Sequence, residues 1–309
     1  MRILVLGATG MVGTALVRRL QMEPDYEILT GPVPRIDLRD QAATHRLLAE
    51  TKPEWVFLAA ARVGGIHANR TYPADFIYDN LMIQCNVFHA AFTVGVRKLL
   101  FPASSCIYPK FAPQPLAEDY LLTGKLEPTN EPYAVAKIAG IITAQSFNRQ
   151  YGTNFISVMP SNLYGPNDNF DLKLSHVVPA LIRKTHEAKV AGRDFVEVWG
   201  SGTPLREFLF VDDLADACVF LMRNYDESDF INIGTGKEVS IREVATLIKE
   251  VVGFDGELRF DSSMPDGDPR KVLDISRITA LGWSPATSLR EGLARTYEWY
   301  VANESRIRK

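Results

Sequence analysis

Through the first half of the chain, short unbroken apolar runs alternate with longer stretches in which apolar residues recur every third or fourth position. The runs are Arg2 to Leu6, Tyr26 to Thr30, Trp55 to Ala61, Lys98 to Ala103 and Asn154 to Met159. Unbroken runs of this length suit strands of a parallel sheet covered on both faces. The intervening stretches carry a helical pattern through Leu16, Val17 and Leu20, along Tyr72 to Gly95 with Cys85 read as a core position, and from Tyr133 to about Tyr151. This alternation predicts an α/β fold with a doubly wound parallel sheet. After Pro160 to Pro166 the alternation stops. A helix near Val177 to Ala188 and a strand at Val196 to Trp199 are followed by a strand and helix over Arg206 to Met222 and a strand at Phe230 to Ile233. Ser240 to Glu243 and Ser288 to Glu291 have capping-box spacing and open the last two helices. The predicted division is 1–165 plus 207–236 as a dinucleotide-binding domain, and 166–206 plus 237–309 as a smaller C-terminal α/β substrate domain.

Composition narrows the partners. The 309 residues are 46% hydrophobic, enough for one large core or two ordinary ones. Lys plus Arg number 34 against 37 Asp plus Glu, a net charge of −3, which points away from a nucleic-acid surface and towards a small molecule met by local cations. Cys85, Cys106 and Cys218 are odd in number and far apart, so neither a disulfide framework nor a metal site is expected. With no signal-peptide pattern and no apolar run near ~20 residues, the expectation is a soluble protein of the reducing cytoplasm, without membrane contact.

Gly7-Ala8-Thr9-Gly10-Met11-Val12-Gly13 follows the first run directly and leads into a helix pattern. Strand, glycine loop and helix in that order make a dinucleotide site of the Rossmann kind: glycines let backbone approach a pyrophosphate, and the helix N-terminus faces its charge. The second run ends in Thr30-Gly31 where an NAD site usually carries an acid, no acid occurs before Asp37, and Arg35 lies nearby. That leans towards NADP(H). Asp37 either lines the adenine pocket or caps the following helix.

Ser104, Ser105 and Cys106 follow the fourth run, at a strand's carboxyl end, where open α/β sheets place their ligands. Tyr133 and Lys137 stand four apart in a helical stretch and share a face. An ammonium beside a phenol favours the phenolate, so Lys137 is expected to draw the Tyr133 pKa from about 10 towards neutrality, as carbonyl reduction requires. The same spacing is also that of an ordinary surface pair.

With Gly7, Gly10, Gly13, Ser104, Tyr133 and Lys137 assembled, the chain resembles the extended short-chain dehydrogenases/reductases that act on nucleotide sugars. Five segments carry the likeness: Ser104 to Lys110 (SSCIYPK), Asn130 to Gly140 (NEPYAVAKIAG), Asn162 to Pro166 (NLYGP), Trp199 to Pro204 (WGSGTP) and 265–271 (PDGDPRK). The resemblance implies NADPH-dependent conversion of GDP-4-keto-6-deoxy-D-mannose to GDP-L-fucose, by epimerisation at C3 and C5 and reduction at C4. It implies Cys106 as base and His176 as acid, Tyr133 donating to the C4 oxygen, Ser104 hydrogen-bonding it, and Lys137 supporting Tyr133 and the nicotinamide ribose. It further places Gly7, Thr9 to Gly13, Ala103, Ser105, Pro160, Ser161, Asn162, Leu163 and His176 along the cofactor. Lys184, Trp199, Arg206 and Asp266 would meet the GDP-sugar, with Lys271 near them. A homodimer built from two helices of each subunit is implied as well. Thr9 and Val33 depart from the basic residues that relatives can carry at those places. Formation of GDP-L-colitose or epimerisation and reduction of another GDP-keto-deoxysugar, a plain 4-epimerisation, and a non-catalytic NADP-sensing role are the competing readings.

Overall fold

The structure, a computed structural model, describes residues 1–31, 36–172, 174–264 and 266–307. Arg35 and Val33 lie outside the described residues. The first half lays down β1 (Arg2–Leu6), α1 (Met11–Leu20), β2 (Glu27–Leu29), α2 (Gln41–Thr51), β3 (Trp55–Leu58), α3 (Ile66–Thr71), α4 (Pro73–Val94), β4 (Lys98–Pro102), α5 (Glu131–Tyr151) and β5 (Phe155–Pro160). Next come β6 (Asn162–Tyr164), α6 (Val177–Val190), β7 (Phe195–Trp199), β8 (Leu205–Arg206), β9 (Phe208–Phe210), α7 (Val211–Asn224) and β10 (Ile231–Ile233). The chain ends with β11 (Val239–Ser240), α8 (Ile241–Val252), β12 (Glu257–Asp261), β13 (Arg270–Lys271), α9 (Ser276–Ala280) and α10 (Leu289–Asn303).

The main sheet has the order β10-β5-β4-β3-β1-β2, with every pairing parallel. The order of strands reverses between β1 and β3, and such a switch point opens a crevice at the carboxyl ends. Both faces are covered. One core joins β1, β3 and β5 to α1 and α7 through Leu16, Leu20, Leu214 and Cys218. The other joins the opposite face to α2, α4 and α5 through Leu48, Phe88, Ile138 and Ile141. A third core, with Phe170, Leu181, Val198, Phe208, Phe210, Ile248, Leu293 and Tyr300, lies among α6, β7, α8 and α10. Leu273, Ile278 and Trp283, from the stretch expected in the substrate domain, pack into the first two cores instead.

Local chemistry explains several boundaries. Pro73 opens α4 and Gly95 closes it in a left-handed turn. Asp40 caps α2 by accepting from the Ala43 amide at 2.9 Å. Ser240 and Glu243 form the reciprocal capping box, whereas at Ser288 the serine accepts from the Glu291 amide. Cys85, expected in the core, is exposed on the outer face of α4. It lies seven residues after the exposed Tyr78, on the side turned away from the sheet. Among the described residues no helix is long and apolar enough to cross a membrane.

Candidate active site

The crevice begins at the glycine loop. Gly7 has φ +85°, and a Cβ on Gly13 would stand 2.1 Å from the Gly7 carbonyl oxygen, so α1 packs against the turn only because both positions lack side chains. Gly10 is the N-cap of α1 and supplies no side-chain acceptor. The amides of Met11, Val12 and Gly13 at this helix start are therefore left to an anionic ligand. Thr9 contributes its carbonyl to Asn167, whose side-chain amide donates to it at 2.9 Å. After β2, Asp37 accepts from the Arg39 guanidinium at 2.7 and 3.0 Å and from its amide at 2.9 Å. The capping role open to Asp37 is taken by Asp40, which stands directly before α2.

β4 delivers the chemistry. Ala103 is buried, its amide donating to the Val158 carbonyl at 2.8 Å. Ser104 is extended, and Ser105 to Ile107 form a single 3₁₀ turn that buries Ser105 and Cys106. The turn buries the Cys106 thiol near Ser104, whose hydroxyl lies close enough to lower the pKa of both that thiol and the Tyr133 phenol. Tyr133 lies in the first turn of α5 and meets the edge of Phe76 at 6.1 Å. Lys137, one turn on, donates to the Pro102 carbonyl at 2.9 Å and lies 4.6 Å from the Phe101 ring centre. This approach depends on Gly140, where a Cβ would fall 2.4 Å from the Phe101 ring.

The electrostatics correct the expectation for Tyr133. Burial pushes its phenol well above 10, charge on Cys106 adds to the rise, and the Ser104 hydrogen bond opposes it. Lys137 does not draw it down: its ammonium is aimed at the Pro102 carbonyl, and burial lowers its own pKa to about 8. The two cations favour the thiolate instead. Burial raises the Cys106 thiol, and Lys271, Ser104 and Lys137 oppose that rise in decreasing order. Cys218, equally buried, has no cation opposing its rise and faces Asp216. His176, the N-cap residue of α6, has an extended backbone and is exposed to solvent. Although the residue is exposed by surface area, the protein atoms packed around the imidazole desolvate it and lower its pKa, which favours the neutral ring.

The remaining residues form the outer walls. Pro160 ends β5, and Ser161 beside it is buried with an Oγ that lacks a partner among the described residues. Asn162 donates to the Glu207 carbonyl at 2.9 Å, and Leu163 packs against the first core. β13 runs parallel to β8 with Lys271 opposite Arg206, and burial lowers the pKa of both cations. Lys184 lies 4.6 Å from the centre of the exposed Trp199 ring. Asp266, expected to reach the nucleoside, has both carboxylate oxygens on Ser201, at 2.7 Å to the amide and 2.9 Å to the hydroxyl, which orders the turn after Trp199.

Glu207 was not singled out in the sequence, although a lone acid within Leu205 to Phe210 was its signal. It is fully buried and accepts from the amides of Gly236 and Leu273, both at 2.8 Å, and of Thr235. One carboxylate thus ties β8 to the segment that carries Lys271.

The family described as NAD dependent epimerase/dehydratase matches residues 3–234. GDP-L-fucose synthase 1 of Arabidopsis thaliana is 58% identical over 302 residues, covering 98% of this chain and 94% of that protein. GDP-L-fucose synthase of Escherichia coli is 52% identical over 316 residues, covering 99% and 98%. The crystal structure of a GDP-L-fucose synthetase from Naegleria fowleri bound to NADP superposes with a TM-score of 0.93 at 29% identity, covering 100% of this chain and 96% of that one. Sequence, fold and the strand-end site agree: the chain belongs to the NAD-dependent epimerase/dehydratase family and is an enzyme that works with a nicotinamide dinucleotide.

Proposed function

We propose that this chain converts GDP-4-keto-6-deoxy-D-mannose to GDP-L-fucose with NADPH, inverting C3 and C5 and then reducing C4. The observation that supports this reading is a single cluster in which the Ser104 hydroxyl lies close enough to the Cys106 thiol and the Tyr133 phenol to lower both pKa values while Lys137 and Lys271 favour the thiolate. The names and high identity of the relatives support the substrate.

Protons beside a ketone are acidic because the enolate places its charge on the carbonyl oxygen, so one base and one acid invert each centre in turn. Cys106 takes the proton, and His176 returns one from the opposite face. The resting thiol and imidazole are both neutral, and the thiolate–imidazolium pair holds the same number of protons. A proton moved from the thiol to the imidazole, directly or through solvent, creates base and acid together. Ser104 and Tyr133 hold the C4 oxygen through both steps, and Tyr133 gives it a proton at reduction. Its raised pKa keeps the phenol protonated until then. The nicotinamide dinucleotide, when bound, supplies the hydride. The cradle fits such a group: the helix start has no side-chain cap, the bare Gly7 and Gly13 let the loop and α1 close up on backbone alone, and Ser161 Oγ is buried beside β5 without a partner among the described residues. Arg206, Lys271, and Lys184 against Trp199 hold the GDP-sugar, with Asp266 shaping the wall through Ser201.

NADPH is preferred over NADH because β2 runs into Thr30-Gly31 with no acid before Asp37. The working form is a cytoplasmic homodimer: Tyr78 and Cys85 on α4, and Val135 and Ile142 on α5, stand seven residues apart on exposed faces of two packed helices. A monomer in sedimentation at micromolar concentration overturns the dimer. The function is tested by supplying GDP-4-keto-6-deoxy-D-mannose with NADPH, and in parallel with NADH, and identifying the product by NMR. GDP-L-fucose is expected. An unepimerised GDP-6-deoxyhexose, or no turnover, overturns the proposal, and equal kcat/KM with the two cofactors overturns the preference.

A further inference from the structure

Gly64 and Gly65 close the loop after β3 and open α3. Gly65 is extended, with φ −67° and ψ −178°, so backbone conformation does not demand glycine there. Contact does. A Cβ on Gly65 would stand 2.9 Å from the Ser175 carbonyl oxygen and 3.3 Å from that of Leu174, and the Gly65 amide donates to Leu174 at 3.0 Å. Asn69 secures the turn from the other side, its amide donating to the Gly64 and Gly65 carbonyls at 2.8 and 3.1 Å. The strand of chain seated there is itself ordered, with Ser175 N donating to the Asp171 carbonyl at 3.0 Å and Leu174 N to the Asp171 carboxylate at 2.8 Å. His176 follows at once and begins α6.

We infer that Gly65 is a positioning residue for His176, and so for epimerisation but not for reduction. The bare backbone at Gly65 lets the Leu174–Ser175 carbonyls rest on the dinucleotide-binding lobe, and that seat sets where the imidazole enters the cleft. Any side chain lifts the seat, because both atoms it meets are backbone and neither can swing aside. Gly64 faces elsewhere: a Cβ there would meet Ala68 Cβ at 2.9 Å and the Phe76 ring at 3.2 Å. The inference rests on His176 being the acid of epimerisation.

The test is Gly65→Ala, assayed for deuterium exchange at C3 and C5 in deuterated water and, separately, for NADPH-dependent reduction of the bound keto-sugar. Displacing a catalytic group by about 1 Å costs up to ~10²-fold, so exchange is expected to fall roughly 10–10²-fold while reduction and NADPH affinity hold within about twofold. His176→Asn is run alongside. Loss of exchange in His176→Asn with full exchange in Gly65→Ala overturns the inference, whereas full exchange in His176→Asn overturns the reading beneath it. Equal loss of exchange and reduction in Gly65→Ala also overturns it, since a general structural defect would do the same. If Gly65→Ala does not fold, Asn69→Ala loosens the same turn without adding an atom. It should show the same split to a smaller degree, and unchanged exchange there overturns the inference.

Discussion

Ser104, Tyr133 and Lys137 reach the cleft from one strand end and the first two turns of one helix, whereas His176, Arg206, and Asp266 with Lys271 come from three segments far apart in sequence. The first group stands on β4 in the middle of the sheet, with Leu99 and Leu100 fully buried, and on α5, a helix of 21 residues. The second stands on two-residue strands and loops held by a few polar contacts, Glu207 and the seat at Gly65 foremost. Placement in the first group is a property of the core. In the second it can be lost without unfolding the protein. Substitutions at the reductase corner should therefore remove chemistry and leave binding intact, while substitutions behind the sugar wall should act through placement.

The largest effects should separate the two half-reactions. Tyr133→Phe removes the proton given at C4, and loss of a positioned acid costs about 10²–10⁴-fold. Steady-state NADPH consumption should fall by that factor while deuterium exchange at C3 and C5 continues, and if both fall together Tyr133 is not specific to reduction. Cys106→Ser should do the converse, because an alcohol is a far weaker acid than a thiol near 8.5 and cannot act as the base. Exchange should drop by about 10²–10⁴-fold, and product NMR should show an unepimerised GDP-6-deoxyhexose. Exchange at the wild-type rate would reduce Cys106 to a packed thiol.

A middle-sized effect tests the sugar wall. In Glu207→Gln the amide group meets backbone donors, leaving a buried N–H without an acceptor, which costs about 1–3 kcal/mol. Thermal unfolding should move to lower temperature, and KM for the GDP-sugar should rise more than kcat falls, since Arg206 and Lys271 lose their register but the β4–α5 corner does not. An unchanged KM with a lowered Tm would show that Glu207 serves stability alone.

The smallest effect concerns pH. Burial raises Asp168 to about 7, and its Oδ2 has no hydrogen-bond partner among the described residues. A carboxyl whose folded pKa lies above its unfolded value contributes stability that is fully present below about 3.8 and is lost as pH rises through about 7. Asp168→Asn keeps the shape and removes that titration. The variant should melt above the wild type at pH 8, with the gap closing as pH falls towards 5, and a gap independent of pH would contradict the raised pKa.

How much of this was legible follows the length of the elements. The unbroken apolar runs mark β1, β3, β4 and β5 to within a few residues because a strand covered on both faces has no polar positions to confuse the pattern. The edge strand β2 shrinks to Glu27–Leu29, since one flank of it is open. Cys85 was misread as core because α4 is apolar around most of its circumference, so periodicity could not tell the sheet face from the outer face. Asp266 and Glu207 were beyond reach in another way. The one takes Ser201 as its partner from 65 residues away, and the other lay in a short run whose partners are 28, 29 and 66 residues away.

By itself the sequence determined the alternation of strand and helix, the glycine loop that opens α1, and the four-residue spacing that puts Tyr133 and Lys137 on one face, because each depends on neighbours within a few residues. Only the tertiary structure decided what those groups are. Lys137 is directed to the Pro102 carbonyl, the Tyr133 phenol is raised by burial instead of lowered by its neighbour, and the cations gather around the Cys106 thiol. Burial, and the partners that oppose it, are properties of the packed chain. They set the sign of each pKa shift, and residue spacing holds no information about them.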